Sequence, residues 1–140
     1  MEGFRDKWTN LGSGFTVTTD GHPRVECSNR VVEALESAGQ KLAEGICHRG
    51  GNISKDSLYA ELGADTFLDL CRTHNCRSTE MELSAIAVAA HENNAQFGMI
   101  SAIIGVLPGE SFTESERAKA LAENRALQTA LEAMKSLAVQ

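Results

Sequence analysis

Two groups of side chains have the types and spacing for chemistry. The first is His91-Glu92-Asn93-Asn94, inserted in an Ala- and Ile-rich stretch. A histidine beside a glutamate can share acid and base work, because imidazole titrates near neutrality. His91-Glu92 also opens like the HExxH of zinc proteases. Ala95 stands where the second histidine belongs, so that motif is absent. No serine or cysteine stands beside the insert in a nucleophile setting. The second group is Cys71, His74 and Cys76 in CRTHNC, with His48 or His91 as a further ligand. Zinc knuckles repeat a C-x2-C pair, whereas here one x2 gap is followed by an x1 gap and no second pair. A zinc-binding module is therefore an alternative, and a helix end carrying His74 and Cys76 is the plainer reading. Gly50-Gly51, beside His48 and Arg49, suits either an anion or a helix C-cap.

Other chemistries are excluded more firmly. No GxGxxG or GxxxxGK[ST] follows a strand, so phosphate-loop and dinucleotide sites fail. Aromatic residues are 5% of the chain, too few for a base-stacking platform. The net charge of −6 speaks against nucleic acid as a partner, since that affinity comes from clustered Lys and Arg. No window is apolar for long enough to span a membrane, and the N-terminus, MEGFRDKWTN, lacks the apolar stretch of a secretory signal. Four cysteines in a chain of 140 residues read as thiols in a reducing cytoplasm, because a core of this size needs no staples.

The elements that must hold these residues read as mainly α within one domain, 1–140. Residues 1–27 form a lead-in and a β-hairpin: Phe15 and Val17 alternate with Thr16 and Thr18, Asp20-Gly21 makes the turn, and Pro23 places the second strand at an edge. Residues 28–76 give three helices. Ser28 caps the first, whose stripe runs Val31, Val32, Leu35, Ala38, Leu42, Ile46 and is closed by Gly50-Gly51. The second runs from Ser54 or Asp56 to Leu62, and the third from Asp65 to His74. A helix-turn-helix is excluded by the acidic face of DTFLDLCRTHN. Residues 79–140 give a long antiparallel helical hairpin. Thr79-x-x-Glu82 and Thr113-x-x-Glu116 are capping boxes, and GVLPGES is the connector. The whole is a bundle of about five helices.

In the 79–104 helix the only charged residues are Glu80, Glu82 and Glu92, so it reads as enclosed. Its polar insert must then be satisfied internally, across an interface or by a ligand. The C-terminal helix reads as heptads: Ala120, Leu127 and Met134 on one seam position, Asn124, Leu131 and Ala138 on the other. An asparagine on such a seam can set register or oligomer state. These features point to a non-enzymatic interaction protein, a regulator, inhibitor or accessory factor. It would bind a protein partner or itself, as a dimer, through helix faces, without a cofactor. His91, Glu92, Asn93, Asn94 and Asn124 are its candidate binding residues. A small-ligand or nucleotide-binding protein using the insert, with His74 and Arg77, is the alternative.

Overall fold

The computed structural model describes residues 15–17, 23–42, 47–54, 64–106, 111–112 and 115–139. Strand β1 (Phe15–Val17) pairs antiparallel with β2 (Pro23–Val25), Phe15 opposite Val25. The Asp20-Gly21 turn lies outside the described residues. Helix α1 (Asn29–Leu42) begins immediately after Ser28, whose carbonyl accepts from Val31 N and Val32 N. The Ser28 hydroxyl does not cap it. It accepts from Phe97 N at 3.1 Å, while Ser28 N donates to Phe97 O at 2.8 Å.

The next segment departs from the expected bundle. Ser54, expected to open a helix, ends strand β3 (Gly51–Ser54). The expected helix to Leu62 otherwise lies outside the described residues. Helix α2 (Ala64–Thr73) follows, then strand β4 (Cys76–Glu80), which runs parallel to β3. Asn52 faces Ser78, Ile53 faces Thr79 and Ser54 faces Glu80. Two parallel strands joined through a helix make a β–α–β unit, which an all-helical bundle lacks. Gly50-Gly51 therefore closes no helix. Gly51 belongs to β3, where an added Cβ would lie 3.1 Å from Cys76 Sγ and 3.2 Å from Asn75 O.

The expected 79–104 helix is reduced to α3 (Leu83–Glu92). Thr79 is in β4, and its hydroxyl donates to Ile53 O at 2.9 Å rather than capping a helix. At the far end Asn93 is the C-cap and Asn94 takes φ 49°, the left-handed conformation that short amide side chains tolerate. Residues 95–104 carry no helix or strand, and β5 (Gly105–Val106) pairs antiparallel with β6 (Ser111–Phe112). The polar insert thus ends a helix instead of interrupting one.

Helix α4 (Glu116–Ala138) is capped by Ser115, whose Oγ accepts from Ala118 N at 3.3 Å. Its antiparallel partner is α1, in place of the expected 79–104 helix. Arg30, near the start of α1, donates to Leu137 O at the end of α4, and Gly39 meets Thr129 farther along. Small residues set this approach: Ala38 and Gly39 on α1, Thr129 and Ala133 on α4, all buried. Thr129 is 1% exposed, and its hydroxyl is satisfied by Arg125 O at 2.8 Å. Among the described residues there are four helices, none long and apolar enough to cross a membrane.

Candidate functional site at the ends of the parallel strands

Parallel strands release their chain ends on one side of a sheet, and in open α/β sheets ligands bind outside those carboxyl ends. Here β3 and β4 end at Ser54 and Glu80. The two residues Met81 and Glu82 bend the chain from β4 into α3. Glu80 organises this bend. Its Oε1 accepts from Asn52 Nδ2 at 2.8 Å and from the Ser54 hydroxyl. Its Oε2 accepts from the main-chain amides of Glu82, at 2.7 Å, and Leu83. The network continues outward: Ser78 Oγ donates to Asn52 Oδ1 at 2.9 Å, and Ser84 N donates to Ser54 Oγ at 3.1 Å. The N–H groups of Leu83 and Ser84, unpaired in any isolated helix start, are both satisfied.

Burial pushes the Glu80 carboxyl up, but the four donors together outweigh it and hold its pKa below the ordinary glutamate value. Its half-buried position thus carries a stable negative charge at the positive end of α3. The side chains of Met81 and Glu82 are exposed beside it. A carboxylate and a thioether on a fixed bend can meet a ligand that is part polar and part apolar.

The residues singled out in the sequence lie elsewhere. His91 is half-buried in the last turn of α3, while Glu92, Asn93 and Asn94 are exposed around its C-terminus. Asn93 Nδ2 donates to Ala89 O at 2.7 Å, which makes it a helix-ending residue. Asn124 is exposed on α4. Cys71 lies in the last turn of α2, His74 occupies the turn after it, and Cys76 opens β4 with its thiol toward His74 O at 3.6 Å. Among the described residues no group of three or more His, Cys, Asp or Glu gathers as a metal would require. Burial raises the Cys76 thiol, Cys71 raises it further and Arg24 only partly opposes them. Burial also raises Cys27, the Met99 backbone lowering it and Glu26 raising it. Both shifts disfavour the thiolate that binds metals.

The site residues that sequence reasoning misses are Asn52, Ser54, Glu80 and Met81, while Glu82 is read as half of a capping box and as one charge of an enclosed helix. A strand–helix–strand reading of GNIS, ADTFLDLCRT and CRSTE would have found them, since it places Ser54 and Glu80 at adjoining strand ends.

A sequence profile settles what this arrangement belongs to. The profile of the Phosphorylase superfamily matches residues 2–136, nearly the whole chain. The chain belongs to the Phosphorylase superfamily. Neither a curated protein sequence nor a solved structure matches the chain significantly. Superfamily membership corrects the expected helical bundle, since the superfamily is built on an α/β fold in which the parallel β3–β4 pair has a natural place. It corrects the expected non-enzymatic regulator or inhibitor as well, because a phosphorylase superfamily is a family of enzymes.

Proposed function

We propose that the chain is a nucleoside phosphorylase-like enzyme. In that reaction a phosphate oxygen attacks the anomeric carbon of an N-glycoside. The C–N bond breaks, its electron pair passes to the base, and the base nitrogen takes up a proton. Membership of the Phosphorylase superfamily carries this reading.

The bend at the end of β4 supports it. The sugar gains positive charge as the C–N bond stretches, and a carboxylate beside it stabilises that charge. Glu82 is the exposed carboxylate on the bend. Its two oxygens suit the two hydroxyls of a vicinal diol, while the thioether of Met81 suits the apolar face of the ring.

The test is base release from purine and pyrimidine nucleosides by the purified chain, with and without inorganic phosphate. Phosphate-dependent release with formation of a sugar 1-phosphate is the expected result, reduced roughly 100-fold in Glu82→Ala. Release that ignores phosphate, or none with any nucleoside, would overturn the reading.

Self-association and a cytoplasmic location belong to the same proposal. Leu127, Leu131 and Met134 form an i, i+4, i+7 stripe on α4 and are 65%, 56% and 64% exposed, which favours cover by a second copy. The four cysteines, all thiols, favour a reducing compartment. Light scattering of the wild-type chain against Leu127→Ser/Leu131→Ser tests the first: a dimer that the double variant dissociates supports it, and a monomeric wild type removes it.

A further inference from the structure

We infer that Glu80 is a positioning residue for the Met81-Glu82 bend, a role that rests on the phosphorolytic reading of this site. Glu80 itself is half-buried, and its carboxylate is fully engaged with the protein. It is therefore placed to act through its neighbours rather than on a substrate.

The geometry of the four bonds carries the inference. Each partner of Glu80 is a donor: the Asn52 amide, the Ser54 hydroxyl, and the N–H groups of Glu82 and Leu83. The Ser78 hydroxyl donates to Asn52 Oδ1 and so fixes which way that amide faces. Ser54 already accepts from Ser84 N, which directs its own proton to Glu80. Only an ionised carboxylate satisfies such a set. A neutral amide or acid would turn at least one donor toward another donor.

These bonds clamp both ends of the bend. Glu80 is the last residue of β4, and through Oε2 it grips the first turn of α3. Through Oε1 it grips β3. Met81 and Glu82 are thereby held in backbone while their side chains stay exposed. The Glu82 carboxylate receives Met81 N at 3.2 Å, a bond within the bend that can form only while the bend keeps its shape. Around Glu80, β3 contributes Asn52 and Ser54 and α3 contributes main-chain amides. With Glu82 the other carboxylate on the bend, exposed and receiving Met81 N, burial and these four donors set the charge of Glu80. Its ionisation therefore reports directly on the clamp.

The experiment uses the full chain and two readouts. The first is amide hydrogen exchange at Glu82, Leu83 and Ser84. The second is the pH dependence of kcat and KM for phosphorolysis, measured well below the melting temperature. Glu80→Gln should accelerate exchange at those amides and lower kcat/KM roughly 10- to 100-fold, mainly through KM. The wild type should show KM rising on acidification through the Glu80 pKa, a limb missing from the variant. Ser54→Ala, which keeps the carboxylate but removes one donor and the acceptor for Ser84 N, should accelerate exchange and raise KM more weakly, and should retain the acid limb, moved to higher pH. Wild-type exchange and wild-type KM in both variants would overturn the role. A wild-type chain inactive on every nucleoside defeats the phosphorolytic reading instead, and the exchange readout still decides whether Glu80 holds the bend.

Discussion

Asn52 and Glu80 join the two parallel strands side chain to side chain, Nδ2 donating to Oε1 at 2.8 Å. Asn52 spends its other end on Ser78 Oγ at 2.9 Å, so neither polar atom can be removed without orphaning a neighbour. Asn52→Ala should cost about 1–3 kcal/mol of folding stability. Asn52→Asp should cost more at neutral pH, because two carboxylates would then face each other and one must take up a proton. Acid relieves that repulsion, so the two variants should converge as pH falls. Urea titrations at neutral and mildly acidic pH check this, and equal stabilities at both would contradict it.

The same carboxylate sets a pH dependence of folding. Its folded pKa lies below the unfolded value, the four donors outweighing burial. Such a group contributes stability that is fully present above the unfolded pKa of about 4.3 and is lost as pH falls through the lower folded value. Glu80→Gln does not titrate. The wild type should therefore exceed the variant most at neutral pH, and the gap should close on acidification below about pH 5. A gap that stays constant from neutral to acid would show that Glu80 is not held ionised by its partners.

What the sequence makes legible follows from how far its signals reach. The α1 and α4 helices carry amphipathic stripes, a local property, and both are present. The parallel pair is invisible locally: CRSTE shows no apolar alternation, and GNIS has Ile53 as its one large apolar residue. Their pairing depends on a contact across more than twenty residues, which periodicity cannot express. The Ile-rich run after Asn94 misled in the opposite sense. Its spacing fits a helix, but an asparagine accepting φ 49° outweighs it and the helix stops. Thr79-x-x-Glu82 imitates a capping box, while the hydroxyl is spent on Ile53 O and the capping falls to Glu80. The site was missed because its organising residue, Glu80, was legible only as one charge in an apolar segment.

Gly39 decides how closely α1 lies against its surroundings. A Cβ there would stand 2.5 Å from Cys47 Sγ and 2.9 Å from Cys47 Cβ. Helix propensity favours Ala over Gly by about 1 kcal/mol. Overlap with a Cβ, which cannot rotate away, costs about 1–3 kcal/mol and should win. Gly39→Ala is expected to lower the melting temperature. Cys47→Gly in the same chain should recover much of the loss, since the two substitutions share one space. Thermal melts of the two single variants and the double variant check it. Additive losses would show that the two positions do not compete.

Ser28 and Phe97 exchange hydrogen bonds in both directions, and this is what fixes the irregular segment after α3 to the start of α1. Nearby, Gly98 lets that segment lie on Val31, since a Cβ there would be 2.6 Å from Val31 Cγ1. Were the serine a helix cap, its loss would expose the first amides of α1. Because the hydroxyl accepts from Phe97 N instead, Ser28→Ala should leave that amide without its partner and cost about 1 kcal/mol. Ser28→Thr keeps the oxygen and should cost little. The two roles separate by hydrogen exchange: the Ser28→Ala variant should lose protection first at Phe97. Protection lost instead at the amides of Asn29 to Val31, with Phe97 unchanged, would return the serine to the capping role its position suggests.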